Sequence, residues 1–379
     1  MSTEAPDIVV AVVPREKFSY ATLTLDALLE RTTLPFELIY VDGCSPAVTA
    51  STIERRLAGR AGTRILRFEQ FLAPLESRSI VIDTVREDSR YLVILDNDVL
   101  VQPGWLEALV KCAEEERAGA VVPGVLIGGA DASIVHHMGG ETEVREVQGE
   151  RQLFHRQHLE DSDIRELRQE LARRPTLLLE DHCILARTEL WKSLGPLDPA
   201  TPLMTSVPDL SFRFQRSGEK LFIEPAASVI YLWGADAPIT WSDVPQWFFA
   251  WSEVWNRVGM RRMAAELQLS GSLDEKRKVL WWMNNHRRVP LFPLFEANRR
   301  LFERVHLPFA GKVVQKLLEQ FEEQVALLIA EFVRLSKPGR TSGCPPLIPT
   351  YPRLLMRPFR RELRAAGGTT APVEGGQTR

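Results

Sequence analysis

Cysteine is scarce, with four in 379 residues. Cys44, Cys112, Cys183 and Cys344 stand far apart and form no CxxC pair, which argues against a disulfide framework and a structural zinc site and for a reducing, cytoplasmic setting. Net charge is equally slight. Forty-seven Lys plus Arg against 50 Asp plus Glu leave a formal −3, so the chain as a whole carries no electrostatic footprint for nucleic acid. Any polyanion has to be met by a local patch. Long apolar runs are missing too: the stretch 325–330 is broken by Glu331 and Arg334, far short of the roughly 20 apolar residues that span a bilayer. The opening MSTEAPDIVVAVVPREK lacks a basic leader, an apolar core and a small-residue cleavage site, so no signal peptide is expected. A composition of 45% hydrophobic and 26% charged residues excludes a disordered or collagen-like chain. At roughly 150 residues per domain, the length predicts two to three domains.

What is present is an alternation of apolar strands and amphipathic helices. Strands are expected at 7–13 (ending IVVAVV before Pro14), 36–41 (FELIYV), 64–68, 91–95 and 120–126, with helices at 20–31, 50–58, 76–87 and 104–118 between them. Strands this apolar belong in a mostly parallel sheet covered by helices on both faces, which is an α/β fold. Such sheets bind ligands beyond the carboxyl ends of their strands. Three polar strand ends follow one another there: Pro14-Arg15-Glu16-Lys17, Asp42-Gly43-Cys44-Ser45 and Asp96-Asn97-Asp98. The polar region 141–173 is long enough for a mobile loop over the site.

Near Ala237 the character changes. Seven of the nine tryptophans lie between Trp233 and Trp282, and an almost wholly helical pattern continues to about residue 335. Ser242-Asp243 before Pro245, and Ser272 with Asp274 and Glu275, read as helix starts, and Lys337-Pro338-Gly339 as a stop. The expected organisation is a catalytic domain at 1–238, a helical domain at 239–338 and a poorly ordered tail at 339–379, rich in Pro, Gly and Arg. Trp247, Trp251 and Trp255, at spacing four, share one helix face that is either core or a platform for an acceptor sugar or lipid. Arg299, Arg300, Arg304 and Lys312 among Leu and Phe fit a helix on a membrane surface, on its own domain or on a second subunit. The series Val313, Leu317, Phe321, Val325, Leu328, Phe332, Leu335 steps by three or four and favours helix packing.

The segment YLVILDNDVLVQPGWL concentrates the chemistry. Two carboxylates at i and i+2 on a strand fall on one face, so Asp96 and Asp98 offer hard oxygen donors suited to Mn²⁺ or Mg²⁺. The plainer alternative is that both carboxylates cap the following loop and the helix at Pro103.

Over residues 7–232 the chain resembles the inverting family 2 glycosyltransferases with their GT-A fold. The resemblance is carried by the first strand ending in Pro14, YVDGCSP with Asp42, ESR with Arg78, LDNDVLVQPGWLEAL, VHHMGGE, and CILARTELWKSLGPLDP followed by DLSFRFQRSGEKLFIEPAASVIY. It implies a GT-A-type mixed, mostly parallel sheet with an all-helical C-terminal extension. It also implies a nucleoside-diphosphate sugar as donor and a hydroxyl on a glycan, lipid-linked or small molecule as acceptor. Asp42 would meet the nucleotide base with Arg78 nearby, Asp96 the ribose side, and Asp98 the metal, with Pro14, Arg15 and Asn97 lining the donor pocket.

Two positions depart from the family pattern. Where relatives carry Glu-Asp-x-Asp-Leu, with the second residue as base, this chain reads Ser206-Val207-Pro208-Asp209-Leu210, so Asp209 is either the base by a local shift or an N-cap. Glu180-Asp181-His182 supplies a second pair of acidic candidates. Where relatives often place a metal-binding His after the last strand, this chain has Tyr231, and His137 matches a His-x-Gly segment near the active site. These departures motivate a rival reading, a nucleotide-binding scaffold that has lost catalysis. A nucleotidyltransferase is disfavoured because no Gly-rich phosphate loop follows the first strand.

Overall fold

The structure, a computed structural model, describes residues 7–167, 171–234, 239–240, 242–289, 299–301, 303–306 and 308–320. The parallel strands form where the apolar blocks predict them: β1 (Ile8–Val13), β2 (Glu37–Gly43), β3 (Thr63–Phe68) and β4 (Tyr91–Asp96) lie in the order β3-β2-β1-β4. Their side chains alternate between two cores. Val10 and Val12 enter one cluster with helix α1 (Ala21–Arg31), while Val9, Ala11 and Val13 enter the other with Leu75 and Val81 of α3 (Pro74–Thr84). A strand buried on both faces reads as a continuous apolar run because each face removes its own set from water. Each such Val contributes about 1.5–3 kcal/mol. The remaining helices of this half are α2 (Ala47–Leu57) and α4 (Trp105–Glu116).

Beyond β4 the sheet becomes mixed. After β5 (Val99–Val101) come β6 (Ala120–Gly128), β7 (Ile134–His137), the hairpin β8 (Gly140–Val147) and β9 (Glu150–Gln157), β10 (Arg174–Pro175), β11 (Cys183–Arg187) and β12 (Leu221–Leu232). Strand β11 inserts antiparallel between β4 and β6, pairing Cys183 with Leu95. The residues just before Cys183 therefore arrive beside the carboxyl end of β4, and the Asp96 N–H donates to the His182 carbonyl at 2.9 Å. In the same way β5 runs antiparallel to β12, setting Tyr231 opposite Val99. These two reversals bring distant sequence to the parallel strand ends.

Several expectations are corrected. Much of 141–173 is the β8–β9 hairpin rather than a loop over the site, with Arg151 Nη2 donating to the Leu267 carbonyl at 3.0 Å. Helix α5 (Thr188–Ser193) follows β11 directly, and α6 (Leu203–Arg216) starts well before Pro208 and carries that proline inside it. The tryptophan stripe is split: α7 (Val244–Ala250) ends before Trp251, and α8 (Glu253–Glu266) starts after Ser252. Trp247, Trp251 and Trp255 are all buried in one core cluster, which leaves the core reading and removes the platform. Of the predicted helix starts, Asp243 precedes α7, and Leu273–Glu275 is a short 3₁₀ turn before α9 (Arg277–Arg288). Cys112 and Cys183 are buried free thiols, and Cys44 is disulfide-bonded, contrary to what the wide spacing suggests. No helix among the described residues is long and apolar enough to cross a membrane. Helix α10 (Pro308–Gln320) contains Lys312 and Val313. The rest of the hydrophobic series, Lys337-Pro338-Gly339 and the tail 339–379 lie outside the described residues.

Candidate active site at the strand ends

Asp96 closes β4 and Asp98 follows two residues on, both fully buried. Their surroundings differ. The carboxylate of Asp96 is taken up on both oxygens: Arg78 Nη2 donates to Oδ1 at 2.9 Å, Arg15 Nη1 to Oδ2 at 2.9 Å, and His182 Nδ1 sits 3.1 Å from Oδ2. Asp98 has no hydrogen-bond partner on either oxygen among the described residues. A buried carboxylate without partners is strongly unfavourable, so its retention points to a group that completes it. Burial pushes Asp98 up to about 8, with Lys17 opposing the shift and Glu16 and Asp96 adding to it. Burial likewise lifts Asp96 to about 7 against the pull of Arg78 and Arg15.

Strand β11 contributes the second half of the site. Asp181 accepts from Arg15 on Oδ1 and from Ser206 Oγ on Oδ2 at 2.9 Å, and Arg78 Nη2 donates to its carbonyl at 2.6 Å. Burial opposes ionisation there, but Arg15 and Arg78 outweigh it and hold the carboxyl below the ordinary range. Glu180 is tied more loosely, 3.9 Å from Arg15 Nη2 and 3.6 Å from His182 Nε2. Burial and the neighbouring Asp181 raise it to about 8. His182 is kept neutral by burial and by Arg15, well below the ordinary imidazole value.

Other strand ends close the cluster. The Tyr231 hydroxyl donates to Glu16 Oε2, and its ring lies 4.1 Å from the His182 ring. Lys17 donates to the Leu232 carbonyl with its ammonium 5.3 Å from the Tyr231 ring. Five buried carboxylates (Glu16, Asp96, Asp98, Glu180, Asp181) thus face three buried cations (Arg15, Lys17, Arg78). With neutral imidazoles and every carboxyl ionised the cluster would carry two uncompensated negative charges; burial instead favours protons on Asp96, Asp98 and Glu180, and a divalent cation rather than an anion is the group that could replace them.

The predicted residues divide as follows. Arg15, Arg78, Asp96, Asp98, Glu180 and Asp181 come together, with Asn97 accepting from the Arg15 N–H at 3.2 Å. Arg78, far from being solvated, is wholly buried. Asp42 and Pro14 sit at neighbouring strand ends: Asp42 Oδ1 accepts from the Ser45 N–H at 2.8 Å, shaping its turn, and Pro14 Cγ would lie 3.0 Å from a Cβ placed on Gly43.

Asp209 is not in this group. It lies six residues into α6, with Pro202 rather than Asp209 at the N-cap, and pairs with Arg213 at 2.6 Å in a surface groove with Trp255 and Arg262. Replacing it by Asn is expected to leave turnover unchanged and to cost about 1 kcal/mol of stability, because the pair is partly buried and burial works against the charge that Arg213 stabilises. Steady-state rates and a urea melt check both.

Sequence reasoning also missed His136. Its ring lies tilted against those of His182 and Tyr231, with centroids 5.5 Å and 5.6 Å away, whereas His137, on the opposite face of β7, is buried and bonded to Gln157 at 3.2 Å. The alternation of a strand separates the two, and it was the available signal.

Comparison with known proteins agrees with the sequence resemblance. Residues 8–174, a little under half of the chain, match the family model described as glycosyl transferase family 2. Among solved structures, a crystal structure of GalNAc-T7 with UDP, GalNAc and Mn²⁺ is similar at 16% identity and a TM-score of 0.48, over 75% of this chain and 55% of that one. The chain thus spans just over half the length of that relative. A crystal structure of S. aureus TarS 1-349 in complex with UDP-GlcNAc is similar at 15% identity and a TM-score of 0.43, over 88% and 93% of the two chains. A search of curated proteins gives no match.

Proposed function

We propose that this chain, whose residues 8–174 carry the glycosyl transferase family 2 match, moves a sugar from a nucleoside-diphosphate donor to a hydroxyl acceptor. The observation that carries the reading is Asp98, a buried carboxylate with both oxygens unpartnered at the carboxyl ends of parallel strands. Breaking a sugar–phosphate bond builds negative charge on the departing diphosphate. Asp98, with Asp96 beside it, would hold a divalent cation, whose chemistry there would be to supply opposite charge to those oxygens.

The donor then lies across the ends of β1, β2 and β4. Asp42 and Pro14 flank the nucleotide base, Asn97 the ribose side, and Arg15 and Lys17 add positive charge where the diphosphate departs. Asp96, clamped by Arg15 and Arg78, keeps these two guanidinium groups in place beside the cation that it would share with Asp98.

For the base we favour Glu180 over Asp181. Asp181 is tied to Arg15, Arg78 and Ser206, and a carboxylate so stabilised abstracts a proton poorly. Glu180 has no ion pair shorter than 3.9 Å to a guanidinium among the described residues. A base on the acceptor side fits single displacement, so inversion at the anomeric carbon is expected.

Incubation of the purified protein with UDP-, GDP- and dTDP-sugars, Mn²⁺ and acceptor mixtures tests the reading by nucleoside diphosphate release. Glu180→Gln is expected to keep donor affinity and to lower kcat by about 100-fold, the loss typical of a general base. Donor binding without release would return the scaffold reading; pyrophosphate release would indicate nucleotidyl transfer.

A further inference from the structure

We propose that His182 is a ligand of the site's divalent cation, joining Asp98 and Asp96 through one imidazole nitrogen. The inference rests on the reading of Asp98 as a cation site and names its nitrogen donor. One ligand atom from each of Asp96, Asp98 and His182 lies within 4.8 Å of the others, and all three residues are buried. Asp98 brings two oxygens that no group of the described residues satisfies. Nδ1 of His182 already sits 3.1 Å from Asp96 Oδ2, on the side of the two aspartates.

The other ring nitrogen completes the argument. His182 Nε2 faces Glu180 Oε1 at 3.6 Å, so a carboxylate stands where a metal-binding histidine ordinarily donates its second N–H. The ring is held sideways by Tyr231, with centroids 4.1 Å apart, and its backbone carbonyl is fixed by the Asp96 N–H. A competing set, His136, Glu180 and His182, has comparable spacing, but His136 is only partly buried and no wholly unpartnered carboxylate belongs to that set.

A donor set of two carboxylates and an imidazole favours Mn²⁺ over Mg²⁺, which prefers oxygen alone and gives up its water reluctantly. The segment 180–182 thereby supplies an imidazole packed against the very position, Tyr231, where the sequence shows none. It also supplies the carboxylates absent from Ser206 and Val207, and Ser206 Oγ donates to one of them.

The test uses the full chain stripped with EDTA and titrated with Mn²⁺ alone, followed by electron paramagnetic resonance. Pulsed spectra of the bound ion are expected to show nitrogen coupling that changes when histidine is labelled with ¹⁵N. Because that measurement uses the unaltered protein, it stands even if a His182 variant does not fold. In folded His182→Gln, judged by circular dichroism, the coupling should vanish, the Mn²⁺ dissociation constant should rise at least about 10-fold, and the preference over Mg²⁺ should shrink. Bound Mn²⁺ without nitrogen coupling, or coupling lost in His136→Gln but kept in His182→Gln, overturns the assignment of His182 while leaving the Asp98 site intact. Failure of wild type to bind Mn²⁺ with or without UDP overturns both.

Discussion

Asp98→Asn is expected to lower kcat/KM for sugar transfer by about 10³-fold, or ~4 kcal/mol of transition-state stabilisation, while making the metal-free protein more stable at alkaline pH. The two effects share one cause. Asp98 is wholly buried, neither oxygen has a partner among the described residues, and Glu16 and Asp96 add like charge. Such a carboxylate is unfavourable in the empty site and useful only when positive charge completes it. Asn keeps the shape and removes the charge. The sign of the pH effect follows from the shift to about 8. The folded state keeps a proton that the unfolded chain has already released, so the stability associated with that proton is full below the ordinary carboxylate range. It is lost as pH rises through about 8. Asp96 and Glu180, raised to about 7 and about 8, act with the same sign and remain in the variant, so only part of the slope disappears. Urea midpoints in EDTA between pH 5 and 9 measure it: wild type should fall more steeply than Asp98→Asn. Added Mn²⁺ should raise the wild-type midpoint and leave the variant's unmoved. An Asn variant that retains turnover, or that still gains stability from Mn²⁺, contradicts the role given to Asp98.

Much of this site was legible because parallel strands announce themselves. IVVAVV, FELIYV and YLVILD are apolar on both faces, and the polar residues that follow each one fall at the same edge of the sheet. Asp98, Arg15 and Asp96 were readable from that rule alone. The β11 contribution was harder, because the antiparallel insertion that carries residues 180–182 to Asp96 is a property of the sheet order, not of any local pattern. Glu180 and Asp181 were marked as candidate bases from their charge alone, with nothing to place them beside Asp96, and His182 only as their neighbour. Asp209 misled for a local reason: Pro208 suggests a helix boundary, since proline disfavours helix in the residue before it. In the structure, packing of Leu210 and Phe214 into the core carries α6 through the proline. The split of the tryptophan stripe was equally invisible, because spacing four persists across the Trp251-Ser252 break.

Arg78→Met is the second large effect, a destabilisation of about 3–5 kcal/mol, the loss expected when one partner of a buried ion pair is removed. Arg78 is fully buried on α3, and its guanidinium donates to Asp96 Oδ1 at 2.9 Å, to the Asp181 carbonyl at 2.6 Å and to the Pro74 carbonyl at 2.9 Å. It therefore joins three segments, α3, the end of β4 and the approach to β11, and is the cation that ties α3 to the other two. Methionine fills much of the same volume but leaves Asp96 and Asp181 with Arg15 as their main counter-charge. Lysine should recover little, because a single ammonium cannot reproduce a planar fork directed at two carbonyls and a carboxylate. The pairing can be separated from simple packing by a double variant. Asp96→Asn removes the charge that Arg78 neutralises, so Arg78→Met/Asp96→Asn should be less destabilised than the sum of the two single changes, by about 1–3 kcal/mol of coupling. Urea unfolding of the four proteins in EDTA gives the cycle directly. Strict additivity would mean that Arg78 acts through its packing and its carbonyl contacts alone, and that the carboxylate of Asp96 is held in the site by Arg15.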